Sequence, residues 1–247
     1  MSFMRKKLET KEVALTICFT ALYAVLGFIP LSQVLGLPGK AITVAAIMAP
    51  IIGVLIGPYL GLLATILGGG IGFFVGFFSP MGFVSGAVAA LCSGLVSANK
   101  RTFGAIVYLI FLISFGFFPS IGPAWLFPVS MWLQMIGFLV LVSPLETAAI
   151  RSLNSNEAPK FLLAFYTISL TSTLAGQIAG SLVFEIIVAG DTGWWTALWQ
   201  GLTLLYPAER IIIALAAALV GAPLLKILTI SNLKQFLTHE TRKEKSS

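Results

Sequence analysis

The chain has 247 residues, of which 58% are hydrophobic and 10% charged, and its mean hydropathy is +1.00. A soluble domain carries about 25% charged residues, so an ordinary globular core is excluded. The net charge of +6 and pI near 9.5 do not imply a nucleic-acid partner. The basic residues gather at the termini and in two short loops, not on one folded face.

In chain order, residues 1–12 are a basic N-terminus leading into a 19-residue apolar run, Val13 to Leu31. That run exceeds the roughly 7–15 residues of a signal-peptide core, and more apolar runs follow, so it reads as a retained first helix. Further spans are expected at 41–57, 59–78, 82–98, 103–118, 129–150, 161–189 and 203–226. Gly36-Leu37-Pro38-Gly39 and Gly57-Pro58 punctuate the early spans. Pro119, Pro123 and Pro128 fill a later loop, and Asp191-Thr192-Gly193 opens another. Span 41–57 is short and holds Pro50, so a re-entrant pair over 41–78 is the alternative there. Span 161–189, about 43 Å as helix, must tilt, kink or protrude.

The expected fold is all-α: a polytopic transmembrane bundle of about eight spans forming one domain over 1–247. The first four spans occupy 13–98, a further pair 103–150 and the last two 161–226, before a basic tail at 227–247. Topology follows from charge. Arg5, Lys6, Lys7 and Lys11, then Lys100 and Arg101, then Arg151 and Lys160, fall on one side. The tail adds Lys226, Lys234, Arg242, Lys243 and Lys245. Only Lys40 and Arg210 are left across the bilayer, so 13 of the 15 basic residues mark the cytoplasmic face, with both termini. The expected location is the plasma membrane.

Small residues recur at four-residue spacing: Gly53, Gly57 and Gly61; Gly68, Gly72 and Gly76; Gly82, Gly86, Ala90, Gly94 and Ala98; and Gly176 with Gly180. Lipid gives helices no hydrophobic drive to associate, so such series are read chiefly as internal packing faces.

Catalytic signatures are missing. There is no P-loop, no His-Glu-x-x-His and no Gly-x-Ser-x-Gly. Cys18 and Cys92 lie in apolar runs, and the one histidine, His239, lies in the tail. No enzyme activity, cofactor or metal is expected. Ionisable residues at membrane depth are functional candidates. Glu146 reads as an interfacial ion pair with Arg151. Glu185 falls in the outer part of its span, and Glu209 and Arg210 open the last one. Around them stand Gln177, Lys40, Gln33, the Trp125/Trp132 pair, and Trp194, Trp195, Trp199 and Gln200 in the loop after residue 189. Tryptophans at this level form an aromatic belt or line an outward-opening pocket. The candidate binding set is Lys40, Gln177, Glu185, Trp194, Trp195, Trp199, Glu209 and Arg210.

One resemblance joins these features. Ala14, Ala21, Tyr23, Ala24 and Gly27 mark a small-residue-rich first helix behind a basic N-terminus. Then come Lys40-Ala41-Ile42-Thr43 leading to Ala49-Pro50, Gly57-Pro58-Tyr59-Leu60-Gly61, and Ser79-Pro80-Met81-Gly82-Phe83 entering a helix with Gly86, Ala90 and Gly94. Over 13–98, and more loosely over 161–226 with Pro207, Arg210 and Lys226, the chain resembles the substrate-binding subunits of energy-coupling factor (ECF) vitamin transporters. The resemblance implies capture of a vitamin-like small molecule from outside. It also implies docking to a transmembrane coupling subunit that carries two cytosolic ATPases. Matching docking positions on the first helix are Ala14 with Cys18 and Thr20 with Ala24. Such subunits have six helices, so spans 103–118 and 129–150 stand as an inserted hairpin. Nickel and cobalt relatives carry an N-terminal histidine that is missing here, which argues against a metal substrate. Riboflavin, thiamine and folate fit the pattern equally. The alternatives are a stand-alone secondary transporter or channel, and a structural subunit or membrane-embedded enzyme.

Overall fold

The computed structural model describes residues 10–36, 39, 41–155 and 157–230. Helix α1 runs Thr10–Leu26, and strands β1 (Pro30–Gln33) and β2 (Ala41–Thr43) pair antiparallel as a small hairpin. Helices α2 (Ala45–Ile56), α3 (Pro58–Phe74), α4 (Pro80–Ser97) and α5 (Arg101–Gly116) follow. A short α6 (Pro123–Leu126) and a 3-10 turn (Pro128–Met131) lead into α7 (Trp132–Val142) and α8 (Pro144–Ser152). The chain closes with α9 (Ala158–Ile187) and α10 (Thr192–Ile230).

Three of these helices are long and apolar enough to cross a bilayer: α4, α9 and α10. The α7/α8 pair, bent by 66°, makes a fourth if it counts as one span. The chain is therefore a helical membrane protein. Eight full-length crossings are not what the described helices provide. With 12 residues, α2 is about 18 Å long, well short of the roughly 30 Å hydrocarbon core. The first span, expected to reach Leu31, stops at Leu26, because Pro30 cannot continue a helix. The hairpin that takes its place was not anticipated.

The exterior is apolar where lipid would lie. Leu204, Ile212, Leu219 and Ile227 of α10 are all exposed, while Ala214, Ala217, Ala218 and Leu225 of the same helix are buried. Helix α2 is apolar on every side and is buried from Met48 to Ile56, as a helix enclosed by others must be.

The centre of the bundle is the α4/α9 contact. Helices α2 and α3 pack on α4, α10 packs on α9, and α1 lies against α3. The recurring glycines explain how backbones come this close. A Cβ on Gly176 would strike the Ser85 carbonyl, and one on Gly180 would press on that of Met81. Gly53 meets Ala90 and Ser93 in the same way, Gly94 meets Pro58, and Gly68 meets Thr20 and Ala24. Gly57 and Gly76 behave differently. They have open space at Cβ and a positive φ (83° and 94°), so they are turn residues.

The connections define two ends. At the hairpin end α1 finishes, α2 and α4 begin, and α9 passes into α10. At the opposite end lie Lys11, Lys100, Arg101, Arg151, Lys160 and Lys226, six of the seven described basic residues. Lys100 sits over the Tyr59 ring and Lys226 over the Phe161 ring. The seventh, Arg210, stands apart in the other half. The remaining basic residues, including Lys40 and the two terminal clusters, lie outside the described residues, as does His239.

Gly176→Val should lower the thermal unfolding midpoint, since overpacking a tight contact costs about 1–3 kcal/mol. Gly201→Ala, with nothing near its Cβ, should be neutral or gain about 1 kcal/mol from helix propensity. Thermal unfolding of the two purified variants, followed by intrinsic fluorescence, checks both.

Candidate binding site

A cavity opens at the hairpin end between α2, α4, α9 and α10, holding about 880 Å³ of atom-free space with its mouth included. Val34, Ala41, Ile42 and Thr43 of the hairpin region form one side of it. The hairpin tip reaches the far wall, where Gly36 abuts Phe184 and Trp194.

Helical periodicity places the polar groups. On α9, Thr173, Gln177, Gly180, Ser181 and Phe184 form one stripe facing the cavity. On α10 the matching face is Trp199, Leu202, Tyr206 and Arg210. Helix α4 contributes Met81, Ser85 and Ala89, and α1 contributes Tyr23, which stacks on Phe78 at 5.4 Å. The lining reaches Arg210 on α10 and Thr173 on α9, the ends of their stripes farthest from the turn joining the two helices. Residues 211–230 of α10 and 158–172 of α9 take no part in it. The cavity is a pocket in one half of the bundle.

Arg210 is its most consequential side chain. It is only 4% exposed. The nearest carboxylate oxygen, Glu209 Oε2, is 3.9 Å from Nη2, beyond hydrogen-bond range. The Nε of Arg210 has no partner, and neither does Glu209 Oε2. Gln177 is 6% exposed, and its Oε1 is likewise unpartnered. Buried groups of this kind normally find partners. Left unpaired, such groups cost several kcal/mol.

Of the eight expected site residues, Gln177, Trp199 and Arg210 line the cavity together. Lys40 lies outside the described residues. Trp194, Trp195 and Trp199 do not sit in a loop, because Asp191 caps a helix: its Oδ1 accepts from the Trp194 N–H at 2.7 Å. From there α10 runs unbroken for 39 residues, so Glu209 and Arg210 are interior and do not open the span. Only Trp199 turns to the cavity, held by a bond from Nε1 to the Ile121 carbonyl at 2.9 Å. Trp195 is fully buried behind it, and Trp194 stacks on Phe184. Glu185 is buried outside the cavity wall, and neither of its oxygens has a partner. The sequence reading missed Tyr23, Thr43, Phe78, Ser85, Thr173, Ser181, Phe184 and Tyr206. The α9 members were visible as polar and small residues at three- and four-residue steps.

Two other expectations change. Glu146 does not pair with Arg151, which lies five residues on and therefore about 140° around the helix. Glu146 turns inward and accepts from Thr171 Oγ1 at 3.3 Å. On α1, Ala14 and Cys18 are exposed, whereas Thr20 is half-buried and Ala24 buried against Gly68 of α3. The two pairs are six residues apart, about 120° around the helix. Among the described residues, no three His, Cys, Asp or Glu side chains come together as a metal site would require.

Replacing the pair through Arg210→Met with Glu209→Gln should leave ligand-free stability unchanged or raise it. Exchanging buried charges for apolar or neutral groups is neutral to about 4 kcal/mol stabilising. A fall of the unfolding midpoint in calorimetry would make the pair structural.

Family models, curated proteins and solved structures were each compared with this chain, and none matches it.

Proposed function

We propose that this chain is the substrate-capture subunit of an ECF-type importer in the plasma membrane, binding a vitamin-like small molecule at the hairpin end. The observation that carries this reading is the one-ended cavity with a buried, unsatisfied arginine and glutamine. A channel needs a path through the bundle, whereas this wall is lined in one half only. The hairpin lies against the same opening, as a cover for a captured ligand would.

In this reading the basic end faces the cytoplasm together with both termini, and the hairpin end faces outward. The bundle then has about eight membrane segments: a core of α1 to α4, α9 and α10, in which α2 is too short to cross alone, with α5 and the bent α7/α8 pair as the insertion. Energy would come from a coupling subunit and its two ATPases. Docking would involve the exposed face of α1 around Ala14 and Cys18, which also presents Ile17 and Val25.

A stand-alone secondary transporter is the second reading. Glu185 favours it, because a buried carboxylate without a partner is a natural proton carrier. Uptake into vesicles by this chain alone, abolished by an ionophore, would select that reading.

Two measurements test the capture reading. Protein purified without ATP should retain a small molecule detectable by mass spectrometry. Ser181→Trp, which fills the cavity, should lose it while keeping the wild-type elution profile. Absence of any retained compound or stabilising ligand would end the proposal, since a specific binder gains about 2.7 kcal/mol at a hundredfold ligand excess. For sidedness, Asn154→Cys should react with impermeant thiol reagents only from the cytoplasmic side of intact cells, and Asp191→Cys only from outside. The reverse pattern would invert the map.

A further inference from the structure

We infer that the ligand of this cavity is a monocarboxylic acid with a flat or apolar body, its carboxylate seated against Arg210. The inference rests on the capture reading and narrows it to a substrate class.

Charge gives the first argument. Among the described residues that line the cavity, Arg210 is the only charged one. Its guanidinium is 4% exposed, its Nε lacks a partner and its nearest carboxylate is 3.9 Å away. A guanidinium offers five N–H donors and no acceptor. A planar carboxylate meets that fork with two parallel bonds. A cationic ligand would set two positive charges together in a poorly solvated site. A dianionic phosphate would over-compensate the single guanidinium of the lining, from which Glu209 is absent. One negative charge fits between these failures.

Depth and shape give the second argument. Arg210 and Thr173 mark the end of the lining farthest from the α9/α10 turn. The stacked Tyr23/Phe78 pair, Phe184 and Trp199 supply the aromatic walls. Gln177, one helical turn nearer the hairpin than Thr173, keeps an unpartnered acceptor oxygen. The ligand thus enters carboxylate first, its body lies among the rings, and an N–H or O–H on that body donates to Gln177 Oε1.

The test uses acid and amide partners that share one body: nicotinic acid with nicotinamide, biotin with biotinamide, and indole-3-acetic acid with its amide. Thiamine serves as a cationic probe. Titration calorimetry and thermal unfolding are run on the full chain in phosphatidylcholine nanodiscs. At least one acid should bind about tenfold tighter than its amide. Arg210→Gln should erase that preference without weakening the amide, and Arg210→Lys should keep part of it. If Arg210→Gln does not fold, Arg210→Met with Glu209→Gln replaces it.

An amide or thiamine preferred over every acid, or acid binding untouched by the arginine variants, overturns the inference and leaves capture standing. If no probe binds, the compound retained through purification decides. A carboxylic acid lost on Arg210 substitution supports the inference, and a neutral or cationic compound overturns it. With no probe bound and nothing retained, capture itself falls and the inference falls with it.

Discussion

The close approach of α9 to α4 is the constraint on which the rest of the structure depends. Hydrocarbon supplies no hydrophobic drive between helices, so contact area must come from backbones that nearly touch. Gly176 over the Ser85 carbonyl and Gly180 over that of Met81 create that contact. It leaves Thr173, Gln177 and Ser181 facing Ser85 and Ala89 across a narrow gap. The cavity begins where small side chains stop filling the space between these two helices. The helix packing and the cavity are therefore two aspects of one interface.

A second layer of order comes from where polar groups are tolerated. Most described basic residues sit at one end, where Lys100 and Lys226 lie over aromatic rings. Arg101 ties α5 to the α7/α8 bend, its Nη1 donating to the Ser143 carbonyl at 2.8 Å and to Thr147 Oγ1 at 2.6 Å. At that end, arginine does ordinary structural work: its donors are used. Arg210 is the contrast. Equally charged and more deeply buried, it has no such partners, and its Nε is left without an acceptor.

The hairpin and the start of α10 complete the site from opposite sides. The Asp191 cap lets α10 begin well before its most apolar stretch, and the periodicity of that extension brings Trp199 onto the same face as Tyr206 and Arg210. The hairpin crosses to meet Phe184 and Trp194. Under the proposed capture role, these contacts are the ones a ligand must part or join to enter.

Composition alone determined that the chain is a helical membrane protein, because peptide groups in oil must bond within a helix and charged residues are too few for a soluble surface. The glycine series also foretold close internal packing, since a backbone without Cβ is the cheapest route to contact. Gln177, Trp199 and Arg210 were legible as rare polar and aromatic residues in apolar surroundings. The sequence misled wherever local chemistry had two readings. Asp191-Thr192-Gly193 looked like a loop and proved a helix cap, and Pro30 and Leu31, expected at the end of the first helix, lie in strand β1. Only the tertiary structure decided which faces meet. It turned Glu146 toward Thr171 and away from Arg151, set Thr20 and Ala24 against α3, and placed Tyr23, Phe78 and Phe184 in the lining of one cavity with Arg210. Those groupings join residues far apart in the chain, and no local pattern encodes which distant helix will lie against a given stripe.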